Sequence, residues 1–423
     1  MKDSGIEWIG EIPGSWGRCK IKRYCLDVFP GATPQSTNPA YWDGDINWIP
    51  SGSCHDCRID SAPKTITEEG FANSSTKLIP ANTALVAMTG ATCGNTGYLT
   101  IESCANQSVT AYIEEKSICD SMFLWYTLRA AKEHLLTFQT GGAQGGVNVE
   151  NCKNIFVPYV PLLEQQRIAA YLDRQCAHIN NIIEKTKASI EEYKKLRQAV
   201  ITQAVTKGVR GERPMKGTGF DWLLQIPADW TMERGKNLFF ETNNRSDSGE
   251  EELLTVSQYT GVTPRSQKNV NMFEAETLEG YKICEIGDIA ANTMWLWAGA
   301  IGVSEYYGVI SPSYNIYRQK NDVYNSKYLD YLLRIPPIVQ LFASLSTGIR
   351  ASRLRLYPEQ FLNIYYPLPP MDEQAEIVAY LQEKIVEVDK LITKKEQFLT
   401  ELETYKKSMI YEYVTGKKEV PQA

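Results

Sequence analysis

The feature that most restricts this chain is a long uninterrupted helical stretch that occurs twice. Residues 164–206 read EQQRIAAYLDRQCAHINNIIEKTKASIEEYKKLRQAVITQAVT and contain neither Pro nor Gly. Ala, Glu, Lys, Gln and Arg, all good helix formers, dominate the stretch. Ile168, Leu172, Ile179, Ile183, Ile190, Tyr193 and Val200 recur at spacings of 3, 4 and 7. Those spacings draw one apolar stripe along a helix. About 43 residues at ~1.5 Å each predict a rod of roughly 60 Å. It is too long for a core helix of an ordinary domain and too charged to span a bilayer.

Position 374 lies 209 residues after position 165, and the same step carries each stripe residue onto Ile377, Leu381, Val388, Ile392, Leu399, Leu402 and Met409, all apolar. Glu164-Gln165 recurs as Glu373-Gln374, Ala170-Tyr171-Leu172 as Ala379-Tyr380-Leu381, and Val205-Thr206 as Val414-Thr415. The chain therefore carries two amphipathic helices of common origin. Each buried apolar side chain is worth ~1.5–3 kcal/mol, so both stripes require a partner. The other copy is favoured, because covalent linkage raises its local concentration. The expectation is an antiparallel intramolecular coiled coil.

The repeat extends beyond the helices. GIEWIGEIPGSW at 5–16 matches GFDWLLQIPADW at 219–230, pairing Trp8 with Trp222, Pro13 with Pro227 and Trp16 with Trp230. Asn154-Ile155 with Pro158 and Pro161 matches Asn363-Ile364 with Pro367 and Pro370. Residues 207–218, KGVRGERPMKGT, form a polar Gly-containing joint. The boundaries expected are 1–157 for a first globular part, 158–218 for the first long helix and joint, 219–366 for a second globular part and 367–423 for the second helix.

Both globular parts mix short strands with turns. Ile46–Ile49, Thr83–Met88 and Val109–Ile113 read as strands in the first, with a helix from Ser121 to Leu136. Leu253–Ser257, Asp288–Ala291, Ala300–Val303 and Tyr314–Tyr317 read as strands in the second, with a helix from Ser326 to Ile335. The fold class is α+β: two mixed modules on a pseudo-twofold helical scaffold. Their edges repeat while their centres diverge, as expected of one scaffold holding two modules that read different things.

Catalytic vocabulary is thin. There is no GxxxxGK[ST] and no glycine-rich strand–helix turn suited to a nucleotide cofactor. Asn38-Pro39-Ala40-Tyr41 approaches an amino-methyltransferase clamp, but its third position is wrong and no cofactor loop precedes it. His55, His134 and His178 lie far apart. Cys54-His55-Asp56-Cys57 has zinc-like spacing that Cys93 or Cys104 could complete, yet no second close pair exists. Reduced, buried thiols are the expectation for the ten cysteines. The formal net charge of −6 argues against a wholly basic nucleic-acid coat without excluding a local basic face. No signal peptide and no apolar run near ~18 residues is present, which points to the cytoplasm and away from a membrane.

Binding is thus the favoured class, and DNA reading needs loop-borne donors and acceptors for bases and cations for phosphates. In the first module the candidates are Thr33, Gln35, Ser36 and Asn38, with Gln144 and Asn148 in or after the glycine loop GGAQGG. In the second they are Arg350, Ser352, Arg353 and Arg355 in TGIRASRLR, with Arg245 and Arg265 in polar turns. The aromatic run Met294–Gly299 is open to two readings, core packing or a part in binding. No catalytic or metal-binding residue is nominated.

The chain resembles the specificity subunit of a type I restriction–modification system. The resemblance rests on the paired openings WIGEIPGSW and WLLQIPADW and the paired exits VPYVPLLEQQRIAAYL and YPLPPMDEQAEIVAYL. GATPQSTNPAYWDGDINWIP, MTGATCGNTGYL and TGIRASRLRLYPEQF inside the modules are also similar. It implies two target-recognition domains, each reading half of a split site on double-stranded DNA. It implies helices that set the gap and dock two methyltransferase subunits, which restriction and translocase subunits then join. S-adenosylmethionine, ATP and Mg would belong to those partners, and the chain itself would do no chemistry. The rival readings are a methyltransferase or nuclease with a degenerate site, and a coiled-coil organiser indifferent to DNA.

Overall fold

The computed structural model describes residues 1–140, 145–268, 277–348 and 354–421. The chain forms two compact units, Met1–Lys187 with Gln397–Ala423, and Ala188–Glu396. Four helices organise them: α1 (Ser121–Ala130), α2 (Leu162–Lys207), α3 (Ser326–Leu333) and α4 (Met371–Val414). The units cut across the modules drawn from sequence, because each takes one half of α2 and one half of α4.

Both long helices start directly after a proline, Pro161 or Pro370, and carry acidic residues in the first turn. A carboxylate there meets the positive end of the helix dipole. Both stop at a left-handed glycine, Gly208 (φ 74°) and Gly416 (φ 70°). A Cβ at Gly416 would run into Pro13, and one at Gly208 into Arg213 and Glu373, so these positions also need glycine for space.

Within each unit the helix halves pair antiparallel. In the first, Lys406 Nζ donates to Asn180 Oδ1 at 2.7 Å and the Tyr171 and Tyr413 hydroxyls meet at 3.2 Å. Residue numbers fall on one helix as they rise on the other. In the second, Arg197 Nε lies 3.0 Å from Asp389 Oδ1 and Lys395 sits over the Tyr193 ring. Ile168, Leu172, Ile179 and Ile183 join one core with Met409, Ile410 and Val414. Ile377, Leu381 and Ile385 join another with Ile201 and Val205. Ile190 and Val388 are also buried, whereas Tyr193, Val200, Ile392, Leu399 and Leu402 are half-buried. A two-helix seam covers only one flank of a side chain, and full burial needs a third surface.

The same frame joins helix to module in both units. Strand Gly17–Lys20 pairs with Phe156–Tyr159, as Thr231–Arg234 pairs with Tyr365–Leu368. Trp16 Nε1 donates to Glu164 at 2.8 Å, and Trp230 Nε1 to Glu373 at 2.9 Å. The fully buried Gln165 donates to the carbonyls of Ile118 and Val160 and accepts from the Asp120 amide. Gln374 repeats this on Val323, Pro369 and Asn325. Asp120 and Asn325 are the N-caps of α1 and α3, so one glutamine fixes the start of each module helix. A buried amide with all three bonds made is stable; one left unpaired costs ~1–3 kcal/mol.

The first module holds a five-stranded sheet in the order Cys25–Pro30, Val109–Glu114, Thr83–Ala87, Thr96–Leu99, Cys57–Ile59. The second holds a four-stranded sheet in the order Phe239–Thr242, Asn315–Gln319, Ile289–Ala291, Ile301–Val303. The first adds a three-stranded sheet centred on Trp42–Ile49. The strand positions follow the sequence reading closely. The helices depart from it. Residues 121–136 break at Ala131 (ψ 0°) into α1 and Lys132–Leu136. The expected Ser326–Ile335 helix ends at Leu333, and Pro336–Leu345 forms another with its proline at the first turn, where a missing N–H costs nothing.

Candidate nucleic-acid interface

In the first unit the loops at one end of the five-stranded sheet are stitched together by main-chain bonds. Ala32 N donates to Ala105 O at 2.8 Å, Met88 N to Ser108 O at 2.7 Å and Val147 N to Met88 O at 2.9 Å. Gly31 presses on the carbonyl of Ala105 and leaves no room for a side chain. This brings the turn after Cys25–Pro30, the loop 88–91, the loop 106–108 and residues 145–148 onto one edge. Thr33 Oγ1 donates to Gln107 Oε1. Gln35 and Ser36 are exposed, and the indoles of Trp42 and Trp48 hold this turn through the carbonyls of Gln35 and Ala32.

Two candidates have structural duties as well. Asn38 Oδ1 accepts from Ala40 N at 3.1 Å, and Asn148 Oδ1 accepts from Asn151 N at 2.8 Å as a helix cap. Their amide N–H groups remain as donors. Gln144 lies outside the described residues.

The second unit builds the corresponding edge from different residues. Asn292 Nδ2 donates to Tyr314 OH at 2.9 Å, Thr293 Oγ1 to Ser313 O at 2.8 Å and Lys282 Nζ to Tyr314 O at 2.7 Å. Arg245 bridges Lys282 through the main chain, and its guanidinium donates to Gly280 O at 2.7 Å. Burial, and then the charge of Arg245, hold Lys282 below the ordinary lysine range against the pull of Glu241. Arg265 opens a short 3-10 turn beside Leu253, and its charge reaches Tyr314. Arg355 is exposed and pairs with Thr347 through the main chain. Arg350, Ser352 and Arg353 lie outside the described residues.

The aromatic run 294–299 divides between the two readings. Leu296 and Gly299 are buried, while Trp295 is 52% exposed and stacks on Trp297 at 5.7 Å. Sequence reasoning also passed over Thr89, Gln107, Ser108, Ser311 and Ser313, whose loop positions carry no signal until the sheet brings them together. Both edges offer amides and hydroxyls of the kind that reads base edges, and the second adds cations of the kind that holds phosphates. Among the described residues no His, Cys, Asp and Glu group is placed to hold a metal ion. Cys54 is buried and Cys57 exposed.

Residues 26–192 match the family described as the type I restriction modification DNA specificity domain. Over that stretch the chain is similar to type I restriction specificity subunits. The Escherichia coli EcoR124I/EcoR124II specificity subunit is 27% identical over 199 residues, 45% of this chain and 46% of that protein, so the match spans about half its length. The Methanocaldococcus jannaschii MjaVIII specificity subunit is 25% identical over 327 residues, 73% of each chain. Two solved structures share the fold. One, described under complex assembly and conformational transition of the type I R-M system, has a TM-score of 0.71 at 17% identity and covers 96% of this chain and 100% of that one. The HsdS subunit of Thermoanaerobacter tengcongensis has a TM-score of 0.53 at 16% identity, covering 96% and 98%. The fold likeness extends over both long helices and both mixed modules. No described helix is long and apolar enough to cross a membrane.

Proposed function

We propose that this chain is the DNA-reading subunit of a cytoplasmic type I restriction–modification complex and is itself non-catalytic. Each module reads one half of a bipartite site on double-stranded DNA through the loop edge described above. The paired helices set the spacer and dock two methyltransferase subunits, which restriction and translocase subunits join. S-adenosylmethionine, ATP and Mg serve those partners. The observation that carries this reading is the contrast between frame and edge. The residues that dock each module on the helices repeat, whereas the residues on its loop edge do not.

Chemically, the division of labour is simple. Arg245, Arg265 and Arg355 supply charge to phosphates, which fixes orientation without reading sequence. Thr33, Gln35, Ser36, Asn38, Gln107 and Asn148 in the first module present donors and acceptors to base edges. A bidentate amide–adenine pair discriminates by ~1–3 kcal/mol.

The test is methylome sequencing of a host expressing the chain with its partner subunits. The expected result is one split motif. Inserting residues at a paired position in α2 and α4 should change the spacer and leave both half-sites intact. A motif that does not split, or a spacer indifferent to such insertions, overturns the reading. Methylation or cleavage by the purified chain alone would favour an enzyme, and DNA binding without sequence preference at raised salt would favour a scaffold.

A further inference from the structure

α1 and α3 share a pattern beyond the long helices: Ser121, Leu124, Tyr126, Leu128 and Arg129 correspond to Ser326, Leu329, Tyr331, Leu333 and Arg334. The 209-residue step likewise makes Asn180 the counterpart of Asp389, and Arg197 that of Lys406. Each unit therefore places one cation from its module helix and one from its paired helices beside the same cleft.

In the second unit both cations have their own carboxylates. Arg334 Nη1 lies 3.3 Å from Asp330, and Nη2 donates to Tyr259 O at 2.6 Å. Arg197 sits 3.0 Å from Asp389. In the first unit both carboxylates are replaced: Trp125 stands where Asp330 would be and Asn180 where Asp389 would be. Arg129 lies over the rings of Trp125 (4.8 Å) and Tyr126 (5.7 Å), and Lys406 donates to the neutral Asn180 at 2.7 Å.

The two cations line one cleft of about 780 Å³. Three of the carboxylates lining it have other partners, Glu184 with Lys187 at 3.5 Å among them. Asp56 accepts from Thr96 N at 2.8 Å and lies 3.6 Å from Lys132, and Asp173 is 2.8 Å from Arg58. Glu403 is exposed at the rim, with the exposed Lys407 beside it. Burial, then the charge of Arg129, hold Lys406 below the ordinary lysine range, over the opposing pull of Cys176, Asp56 and Glu403.

We propose that this cleft of the first unit is an oxyanion site that takes a phosphate group between Arg129 and Lys406, and that the second unit has no such site because Asp330 and Asp389 occupy it from within. The phosphate has two sources, a phosphodiester of the DNA backbone or a free phosphate. Only the first rests on the DNA-reading function proposed above.

The experiment titrates inorganic phosphate into the full chain by calorimetry, and follows acylation of Lys406 by mass spectrometry with and without phosphate or duplex DNA. Phosphate should bind and shield Lys406 in the wild-type chain. Asn180→Asp, an exposed change that copies the second unit, should weaken phosphate binding by about tenfold or more, in line with a charged hydrogen bond supplied internally. Asp389→Asn leaves the first-unit site untouched, and phosphate should shield Lys406 in it as in the wild type. Shielding by duplex as well as phosphate assigns the site to the DNA backbone, and shielding by phosphate alone assigns it to a free phosphate. Wild-type protein that neither binds phosphate nor shields Lys406, or Asn180→Asp that binds unchanged, overturns the site. A chain that shields Lys406 with phosphate yet shows no DNA preference would overturn the function proposed above and leave the site standing.

Discussion

The two units are the same construction executed twice, and even their repeated frame differs where a neighbouring segment closes over it. Glu164 and Glu373 both hold a tryptophan indole, but their environments diverge. Glu164 is half-buried with Trp16. Glu373 is fully buried and also takes Arg213 Nη1 at 2.9 Å, with Arg210 3.8 Å away. Both arginines come from the joint that follows α2. The comparison teaches that a repeated contact acquires a different energy once a neighbouring segment closes over it. In the first unit the bond is a partly wet hydrogen bond. In the second it is the centre of a desolvated charge cluster.

The comparison breaks most visibly at this pair. Glu373→Ala removes the nearer carboxylate of Arg213, whose side chain is only 13% exposed and keeps Asp229 at 3.5 Å and the Lys207 carbonyl, and should destabilise the second unit by about 2–3 kcal/mol. Glu164→Ala should cost the first unit only about 1–2 kcal/mol. Hydrogen exchange resolved by peptide separates the units. Equal losses would mean that the joint arginines contribute nothing.

Gln165 and Gln374 sharpen the opposite side of the comparison, because their surroundings match bond for bond. Gln165→Ala and Gln374→Ala should each cost about 2 kcal/mol, since each strands buried main-chain groups at a helix cap. Urea unfolding with exchange readout should find the two losses alike. A difference of more than about 1 kcal/mol would show that the frame is not energetically repeated.

The loop edges should behave unlike the frame. Gln107→Ala in the first module should relax specificity at one base pair of one half-site by about 1–3 kcal/mol and leave the other half-site unchanged. Arg245→Ala should weaken all sequences alike and reduce the salt slope of binding by about one. Binding to a panel of singly substituted duplexes at two salt concentrations distinguishes them, and a uniform effect of Gln107→Ala would remove that residue from base reading.

How much of this was written in the chain depends on what holds each part together. The helices and the docking frame are legible because burial keeps Gln165, Gln374, Trp16 and Trp230 at fixed positions in both copies. One frame contact escaped that logic. Tyr24 and Tyr324 both donate to the proline carbonyl before the long helix, at Pro158 and Pro367, each at 2.9 Å. They sit at unrelated places in the two copies, so no register finds them. The loop edge is legible only in part. Thr33 and Arg245 stand in recognisable turns, whereas Gln107, Ser108, Ser311 and Ser313 are ordinary loop residues that reach the edge only through strand pairing far along the chain. The unpaired cations of the first unit were hidden for another reason: a missing carboxylate is visible only against a counterpart that has one.

The smallest effect concerns acidity. Arg210 donates to Glu376 at 2.7 Å, and its hydrogen bonds hold Glu376 and Asp372 below their ordinary carboxylate ranges. A carboxyl depressed in the folded state contributes stability above its unfolded value and loses it as pH falls through the folded one. The second unit should therefore weaken on acidification by this route. The first unit lacks the counterpart, because the positions matching Asp372 and Glu376 are Leu163 and Arg167. Arg210→Gln should lower the melting temperature slightly at neutral pH, and the gap from wild type should close as pH drops below the carboxylate range. All three groups face solvent, so added salt should shrink the gap as well. A gap that persists in acid would place the contribution of Arg210 in packing instead of charge.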